Sequence, residues 1–479
     1  MTDHYDLIIR NGTLIDGVRT PRYTGDVAIK NGRIEKLGKL DGAKADSEID
    51  ASGKIVAPGF IDSHTHDDRM LVSAPEMTPK LSQGVTTVIA GNCGISLAPL
   101  VHSSPPSPLD LIDDGDAYHF RSFAEFLDER DAQPAAINAA FLVGHTTLRV
   151  ATMDNLERTA NASETARMAQ LSEEAMAAGA IGLSTGAYYP PAAASSTEEI
   201  IAVAKPLARH GGRYVAHMRH EDEEIIPAME EVFRIGREAN VPVIISHHKV
   251  VGRANFGRSA ETLALLQKAG AAQPVCIDCY PYVASSTMLR ADRIDSASRI
   301  IVTWSKPLPH YTGRDLVDIA KEMGVSQEEA VARLRPAGAI YFSMDEADVQ
   351  RILKFEDTMV GSDGLPHDVK PHPRLWGTFP RVLGHYSRDV GLFPLETAVY
   401  KMTGLTAQKF GLADRGRLAA GCHADITIFD AATVGDAATF TAPTEPARGI
   451  DTVIGNGVVA WRGGKATGAR TGKVLRGGK

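Results

Sequence analysis

The sequence predicts an α/β protein: a (β/α)8 TIM-like barrel with a discontinuous small β-sandwich or β-barrel domain formed by both termini. Three observations carry that expectation. Continuous apolar strands alternate with amphipathic helices through the middle of the chain, and both ends are β-rich. The third is a stretch near residues 283–343, too long for a βα connection of roughly 2–6 residues, which reads as an insertion folding over the barrel mouth. The expected division is 1–60 and 412–479 for the two parts of the small domain, and 61–411 for the barrel.

In chain order, residues 5–10 form an apolar strand that meets Asn11-Gly12, and residues 25–30 form a second that meets Asn31-Gly32. Asn-Gly between such runs is a hairpin signal, because both residues tolerate positive φ. The same texture returns at residues 424–430 and at 452–461, which straddle Asn456-Gly457. Neither end holds enough strand to bury a core alone, so the two are expected to share one domain.

Between them, eight strand candidates end near residues 66, 93, 145, 186, 217, 247, 280 and 363. Helical patterns at 163–179, 196–210, 222–238, 262–272 and 394–410 separate or follow them, with Ser196 a cap for the second. Eight such units fit a closed barrel better than an open sheet.

Composition narrows the function classes. The 479 residues are 43% hydrophobic and 23% charged, ordinary globular usage, and the net charge of −8 argues against a nucleic-acid surface. No run approaches 18 apolar residues, so no membrane span is expected, and the amino terminus lacks the basic and apolar regions of a signal peptide. Four cysteines, at 93, 276, 279 and 422, are too few for a disulfide framework. Cys276 and Cys279 lie within a strand without a second pair and read as structural. A cytoplasmic protein is expected.

The chemistry gathers at strand ends. His64 and His66 close the first strand, Cys93 the second, His217 the fifth, His247 and His248 the sixth, and Asp363 the eighth. If residues 60–66 are extended, the two-residue period puts His64 and His66 on one face beside Asp62. A lone histidine after a strand is commonly structural. Five strands delivering His, Cys or Asp to the rim where barrels do chemistry mark a metal site.

Pro58-Gly59-Phe60-Ile61-Asp62-Ser63-His64-Thr65-His66 resembles the signature of the amidohydrolase superfamily, and Gly421-Cys422-His423-Ala424-Asp425 with Asn456-Gly457 resembles its closing β domain. Ser82-Gln83-Gly84-Val85-Thr86-Thr87-Val88, Gly91-Asn92-Cys93-Gly94-Ile95-Ser96, Ser246-His247-His248-Lys249 and Gly361-Ser362-Asp363-Gly364-Leu365-Pro366-His367 are similar to the N-acyl-D-amino-acid deacylase group. The likeness covers essentially the whole chain. It implies one tight zinc position at Cys93, His217 and His247, and a second, weaker one at His64 and His66 bridged by Cys93. Many superfamily relatives bridge two metals with a carboxylated lysine, a place taken here by Cys93. Strand parity favours His247 over His248 only if the face shared with Val241, Val243 and Ile245 is the barrel interior.

Zinc held by three protein ligands keeps a fourth position for water and lowers its pKa from about 15.7 toward ~7. The resemblance gives Asp363 the proton transfers, a role worth roughly 10²–10⁴ in rate. It assigns the substrate α-carboxylate to Lys249, Arg374, Tyr280 and Ser286, and the side-chain pocket to Tyr188, Tyr189, Tyr341 and Met344. The implied reaction is hydrolysis of a small N-acyl-D-amino acid, with apolar side chains of the D-Met, D-Leu or D-Phe type. The D preference comes from the resemblance alone. A dihydropyrimidinase or isoaspartyl dipeptidase reaction is the nearest alternative, and a non-catalytic scaffold on the same fold is another.

Overall fold

The computed structural model describes residues 4–113 and 115–478. Met1, Thr2 and Asp3, part of the terminus in which no leader pattern was found, lie outside the described residues. Eight parallel strands form the barrel: β1 (Phe60–Asp62), β2 (Val85–Ala90), β3 (Asn138–Gly144), β4 (Gly182–Gly186), β5 (Arg213–His217), β6 (Val243–Ile245), β7 (Val275–Cys279) and β8 (Thr358–Val360). They pair in chain order. The ring closes between β8 and β1 through Ser63 N–H to the Val360 carbonyl (3.3 Å), Asp363 N–H to the His64 carbonyl (2.8 Å) and a bridge between Thr65 and Gly364. Nearly every strand residue is buried, as expected of parallel strands covered on both faces.

Several strands are shorter than their apolar runs suggest. β1 stops at Asp62, β6 at Ile245 and β8 at Val360, so His64, His66, His247 and Asp363 sit on turns beyond the ladder. The period-two argument for His64 and His66 therefore fails in its premise. The seam with Gly364, not a continuous strand, sets their direction.

Helix starts follow their caps. Asn161 and Glu164 form a capping box on helix Ala162–Ala178, and Ser196 caps Thr197–Ala204. The expected helix over 394–410 is two, Leu395–Met402 and Gly404–Phe410, broken at Thr403. A Cβ on Gly404 would lie 2.1 Å from the Gly17 carbonyl oxygen, so the break lets the small domain approach.

Both ends of the chain interleave in one nine-stranded sheet. Ile55–Pro58 pairs with Ile426–Phe429 on one side and His4–Leu14 on the other. Asn31-Gly32 and Asn456-Gly457, at φ of 50° and 73° and of 50° and 84°, make the expected tight turns. Asn11-Gly12 does not. There His4–Leu14 continues through a bulge, with Asn11 at φ 60°, and a Cβ on Gly12 would meet Val56 Cγ2 at 2.4 Å. After this sheet the tail returns to the barrel, where Lys473 and Leu475 hydrogen-bond across Ala139 of β3. The insertion is a three-stranded antiparallel sheet of Ala284–Met288, Ala337–Phe342 and Ile300–Ser305, backed by helices Leu316–Met323 and Gln327–Leu334. No helix among the described residues is long and apolar enough to cross a membrane.

Beyond β3, helix His145–Thr152 is tied to the segment after β4 by a buried ion network. The fully buried Arg149 pairs with Glu199 and donates to the carbonyls of Pro191 (2.6 Å) and Arg158 (2.7 Å), while His145 Nε2 lies 3.1 Å from Glu199 Oε1. Burial pushes the Glu199 carboxyl up, but His145 and Arg149 outweigh it and hold the group at about 2. Its contribution is thus fully present above the unfolded value of 4.5 and is lost as pH falls through about 2. Glu199→Gln is expected to lose on the order of 3 kcal/mol at pH 7. Thermal denaturation across pH checks this: the gap between variant and parent should narrow as pH falls from 4.5 toward 2.

Candidate metal centre

Cys93 lies three residues past β2, His217 ends β5, His247 lies two past β6, and Asp363 three past β8. Cys93 (φ 54°), His247 (φ 35°) and Asp363 (φ 49°) all occupy the left-handed region, which costs a non-glycine residue about 1–3 kcal/mol. Neighbouring strands pin two of them: His247 N–H donates to Asp278 Oδ1 (2.8 Å) and Asp363 N–H to the His64 carbonyl (2.8 Å). Each turn aims its side chain across the barrel mouth. Strain held in this way is characteristic of functional sites.

The aimed atoms converge. Cys93 Sγ is 3.3 Å from His64 Nε2 and 3.4 Å from His247 Nε2, and His247 Nε2 is 3.0 Å from His217 Nδ1. His64, Cys93, His247 and Asp363 each bring one ligand atom within 4.8 Å of the others. His66 Nε2 and His64 Nε2 face Asp363 Oδ1 at 3.3 and 3.6 Å. Zinc bonds of ~2.3 Å to sulfur and ~2.0–2.1 Å to nitrogen in a tetrahedron set donor–donor edges of roughly 3.3–3.6 Å. The 3.4 Å between Cys93 and His247 falls within that range, and the 3.0 Å between His247 and His217 is somewhat shorter. At the sixth strand His248 turns away from the cluster, its Nε2 on Thr262 Oγ1 at 2.9 Å.

Electrostatics agree with a cation there. Burial pushes the Cys93 thiol up, but His64 and His247 hold it well below its usual range, as a thiolate. Burial likewise raises the Asp363 carboxyl, and Arg374, 2.8 Å from Oδ2, holds it well below the carboxylate range. Burial pulls His66 down, yet Asp363 and Cys93 lift it to about 9. These two anions hold protons on the imidazoles, and a divalent ion in their place leaves the rings neutral ligands.

Of the expected substrate residues, Lys249, Tyr280, Ser286 and Tyr189 line the cavity above the cluster. Arg374 is buried behind Asp363, donates to the Ser286 carbonyl (3.1 Å) and sits 4.5 Å over the Tyr280 ring. The Tyr280 and Ser286 hydroxyls are buried without a hydrogen-bond partner, poised for a ligand atom. Tyr188 lies in an adjoining groove, and Met344 in a separate cavity behind Lys249 and Tyr280. Tyr341 belongs to the insertion sheet, where its hydroxyl donates to the Met288 carbonyl (2.9 Å). Ile95, Leu111 and Leu365 supply the apolar wall instead, and Arg293 reaches in from the insertion. Cys276 and Cys279 are buried thiols pushed up by burial, consistent with a structural role.

Two carboxylates at the site were not anticipated. Asp278 Oδ2 faces His64 Nδ1 at 3.4 Å, and Glu221 Oε1 lies 3.1 Å from His247 Nδ1 and 2.6 Å from Lys249 Nζ. Asp278 was passed over as the middle of a Cys-X-X-Cys strand. Glu221 sits just before the helical pattern expected over 222–238, and the helix itself starts later, at Ile225, which leaves 221–224 as the connection from β5.

A (β/α)8 barrel whose carboxyl rim brings a thiolate, imidazoles and a carboxylate within reach of one ion defines a metal-binding barrel. The chain belongs to the amidohydrolase family, which residues 47–260 and 324–460 match. It is 61% identical over 471 residues to the D-aminoacylase of Alcaligenes xylosoxydans xylosoxydans, covering 98% of this chain and 97% of that one. A solved D-aminoacylase with a binuclear metal centre, activated by one metal and attenuated by a second, matches at TM-score 0.97 and 59% identity over 98% of this chain and 100% of that chain. The N-acyl-D-glutamate deacylase of Bordetella bronchiseptica, solved with zinc and a phosphonate mimic of the tetrahedral intermediate, matches at TM-score 0.96 and 43% identity over 99% of this chain and 100% of that chain.

Removing the thiolate should open the cage. Cys93→Ala is expected to lower zinc affinity by more than the roughly 10–100-fold that loss of an outer-shell partner costs. Equilibrium competition against a chelator measures it.

Proposed function

We propose that the chain is a zinc-dependent N-acyl-D-amino-acid deacylase, splitting the amide into a carboxylate and a free D-amino acid. The observation that carries this reading is the run of contacts from Cys93 to His247 and from His247 to His217, with Asp363 beside Cys93 and His247, in a chain so close to a D-aminoacylase. Cys93, His217 and His247 would hold the tight zinc, with His64 and His66 beside a weaker second position. Zinc bound there supplies Lewis acidity and a water of lowered pKa.

Asp363 takes a proton from the attacking water through Oδ1, the oxygen facing His64 and His66, and delivers it to the departing nitrogen. Arg374 on Oδ2 keeps that carboxylate ionised and fixes its rotamer. Lys249, Arg374, Tyr280 and Ser286 receive the α-carboxylate, supported by the two unpartnered hydroxyls and the two cations beside them. Tyr189 frames the side-chain region with Ile95, Leu111 and Leu365, a wall that favours apolar side chains, while Tyr188, Tyr341 and Met344 stand outside that cavity. The four unpaired cysteines accord with a cytoplasmic location, and the interleaved terminal sheet with the division at residues 60 and 411.

One observation favours a second reading of the side chain. Arg293 lines the cavity, 4.7 Å over the Tyr341 ring and 5.7 Å over Tyr188, with no ion-pair partner among the described residues. An acidic side chain would supply one.

Hydrolysis of N-acetyl-D-methionine, N-acetyl-L-methionine and N-acetyl-D-glutamate, before and after zinc removal, tests all of this. Cleavage of D-methionine derivatives alone, lost on chelation and restored by zinc, is expected. Equal cleavage of the L isomer would end the stereochemical claim, and faster cleavage of the glutamate derivative would favour the second reading. Asp363→Asn should lower kcat by roughly 10²–10⁴ while zinc stays bound.

A further inference from the structure

His247 shows two different faces. Its Nε2 points into the cluster, 3.4 Å from Cys93 Sγ and 3.0 Å from His217 Nδ1. Its Nδ1 points the other way, toward Glu221 Oε1 at 3.1 Å and Lys249 Nζ at 2.8 Å. A neutral imidazole that gives Nε2 to a cation carries its proton on Nδ1. That N–H is buried and needs an acceptor. Lys249 offers only donors, so Glu221 is the acceptor within reach.

The other two rings lack such a partner or share one with the backbone. His217 Nε2 has no hydrogen-bond partner, and its ring is held by Tyr188, stacked at 5.5 Å, and Tyr189, edge-on at 5.0 Å. Asp278 faces His64 at 3.4 Å while also accepting the His247 N–H. Glu221 is therefore the carboxylate that faces the outer nitrogen of a ligand of the tight site, close to His217 as well and paired with Lys249. Its backbone is fixed too, the Glu221 carbonyl accepting from Val251 N–H at 2.8 Å.

We propose that Glu221 is a positioning residue: it accepts the Nδ1–H of His247, fixes the tautomer that leaves Nε2 free for zinc, and raises the basicity of that ligand. The inference rests on the zinc reading above. It has a second consequence at Lys249. Once Nδ1 carries a proton, the Lys249 ammonium loses that contact, keeping Glu221 and the His247 carbonyl (3.1 Å) as acceptors. One of its hydrogens is then released toward the cavity it lines, where a substrate anion enters. The same Glu221 oxygen thereby serves both the zinc ligand and the cation that meets the substrate anion.

The test measures zinc affinity by chelator competition, which a merely structural role would not move, together with the thermal midpoint of the metal-free proteins. Glu221→Ala is expected to bind zinc roughly 10–100-fold more weakly than the parent. Glu221→Gln should fall between them, because its amide oxygen still accepts but carries no charge. Glu223→Gln, an exposed charge on the same loop, serves as the control and should bind like the parent. KM should rise in Glu221→Ala even at saturating zinc. Parent-like affinity in both Glu221 variants would overturn the inference while leaving the zinc reading intact. A parent that binds no zinc would instead remove the reading beneath it. If Glu221→Ala fails to fold, Glu221→Gln still decides.

Discussion

The site depends on the seam where the barrel closes, because that seam brings positions 300 residues apart into one hydrogen-bonded unit. Asp62, at the end of β1, accepts from the backbone N–H groups of Ser362 (2.8 Å) and His64 (3.3 Å) with Oδ1. Its Oδ2 takes Lys80 Nζ at 2.7 Å, and Lys80 also reaches Ser362 Oγ (2.8 Å) and Asp67 (3.2 Å). All of these groups are fully buried. Breaking such a pair by removing one partner typically costs ~3–5 kcal/mol, since the remaining charge is stranded. The network therefore resists any slip between β1 and β8. It sets where His64, His66 and Asp363 emerge.

Above the seam, the geometry is made by stopping strands early. A residue that stays in the ladder alternates its side chain in and out of the barrel, which cannot gather atoms from five strands at a point. A single left-handed residue redirects the chain within one step, and Cys93, His247 and Asp363 each take that conformation without being glycine. Close packing holds them there. A Cβ on Gly186 would meet the Cys93 carbonyl at 2.2 Å, and one on Gly361 would meet His64 Cβ at 2.6 Å. These glycines serve approach, not flexibility.

Much of this is legible in the sequence, for definite physical reasons. Apolar runs long enough to cross a core announced all eight strands, and the chemistry-bearing residues lay at their carboxyl ends, where a parallel barrel opens. What failed to show was anything decided by tertiary contact. Asn11-Gly12 carries a turn signal that pairing with Asp26 and Val56 overrides, since Asn11 N–H donates to Asp26 Oδ1 (2.9 Å) and the strand runs on. The extended reading of 60–66 missed that the seam, not the ladder, places His64 and His66. Asp278 and Glu221 were invisible because a carboxylate that orients a ring has no spacing of its own; only the approach of another strand gives it a partner. Tyr341 and Met344 illustrate the converse, residues whose type suits a pocket but whose contacts lie within the insertion or behind the cavity wall.

Charge balance explains why these unanticipated carboxylates belong to the same device. The groups in contact with the donor atoms include four anions, the Cys93 thiolate and the carboxylates of Asp363, Glu221 and Asp278. Against them stand two fixed cations, Arg374 on Asp363 and Lys249 on Glu221. Without further positive charge, the imidazoles must carry protons to compensate, and the raised values of His64, His66 and His247 reflect that pressure. With the rings in the neutral form that coordinates, four anions against two fixed cations leave a deficit that one divalent ion fills. A monovalent ion would leave the interior negative, and a second divalent ion would overshoot unless it brought an anion with it. On electrostatic grounds alone the cluster is matched to a single doubly charged ion, and both cations stay paired with their carboxylates while their remaining hydrogens are available to an anionic substrate.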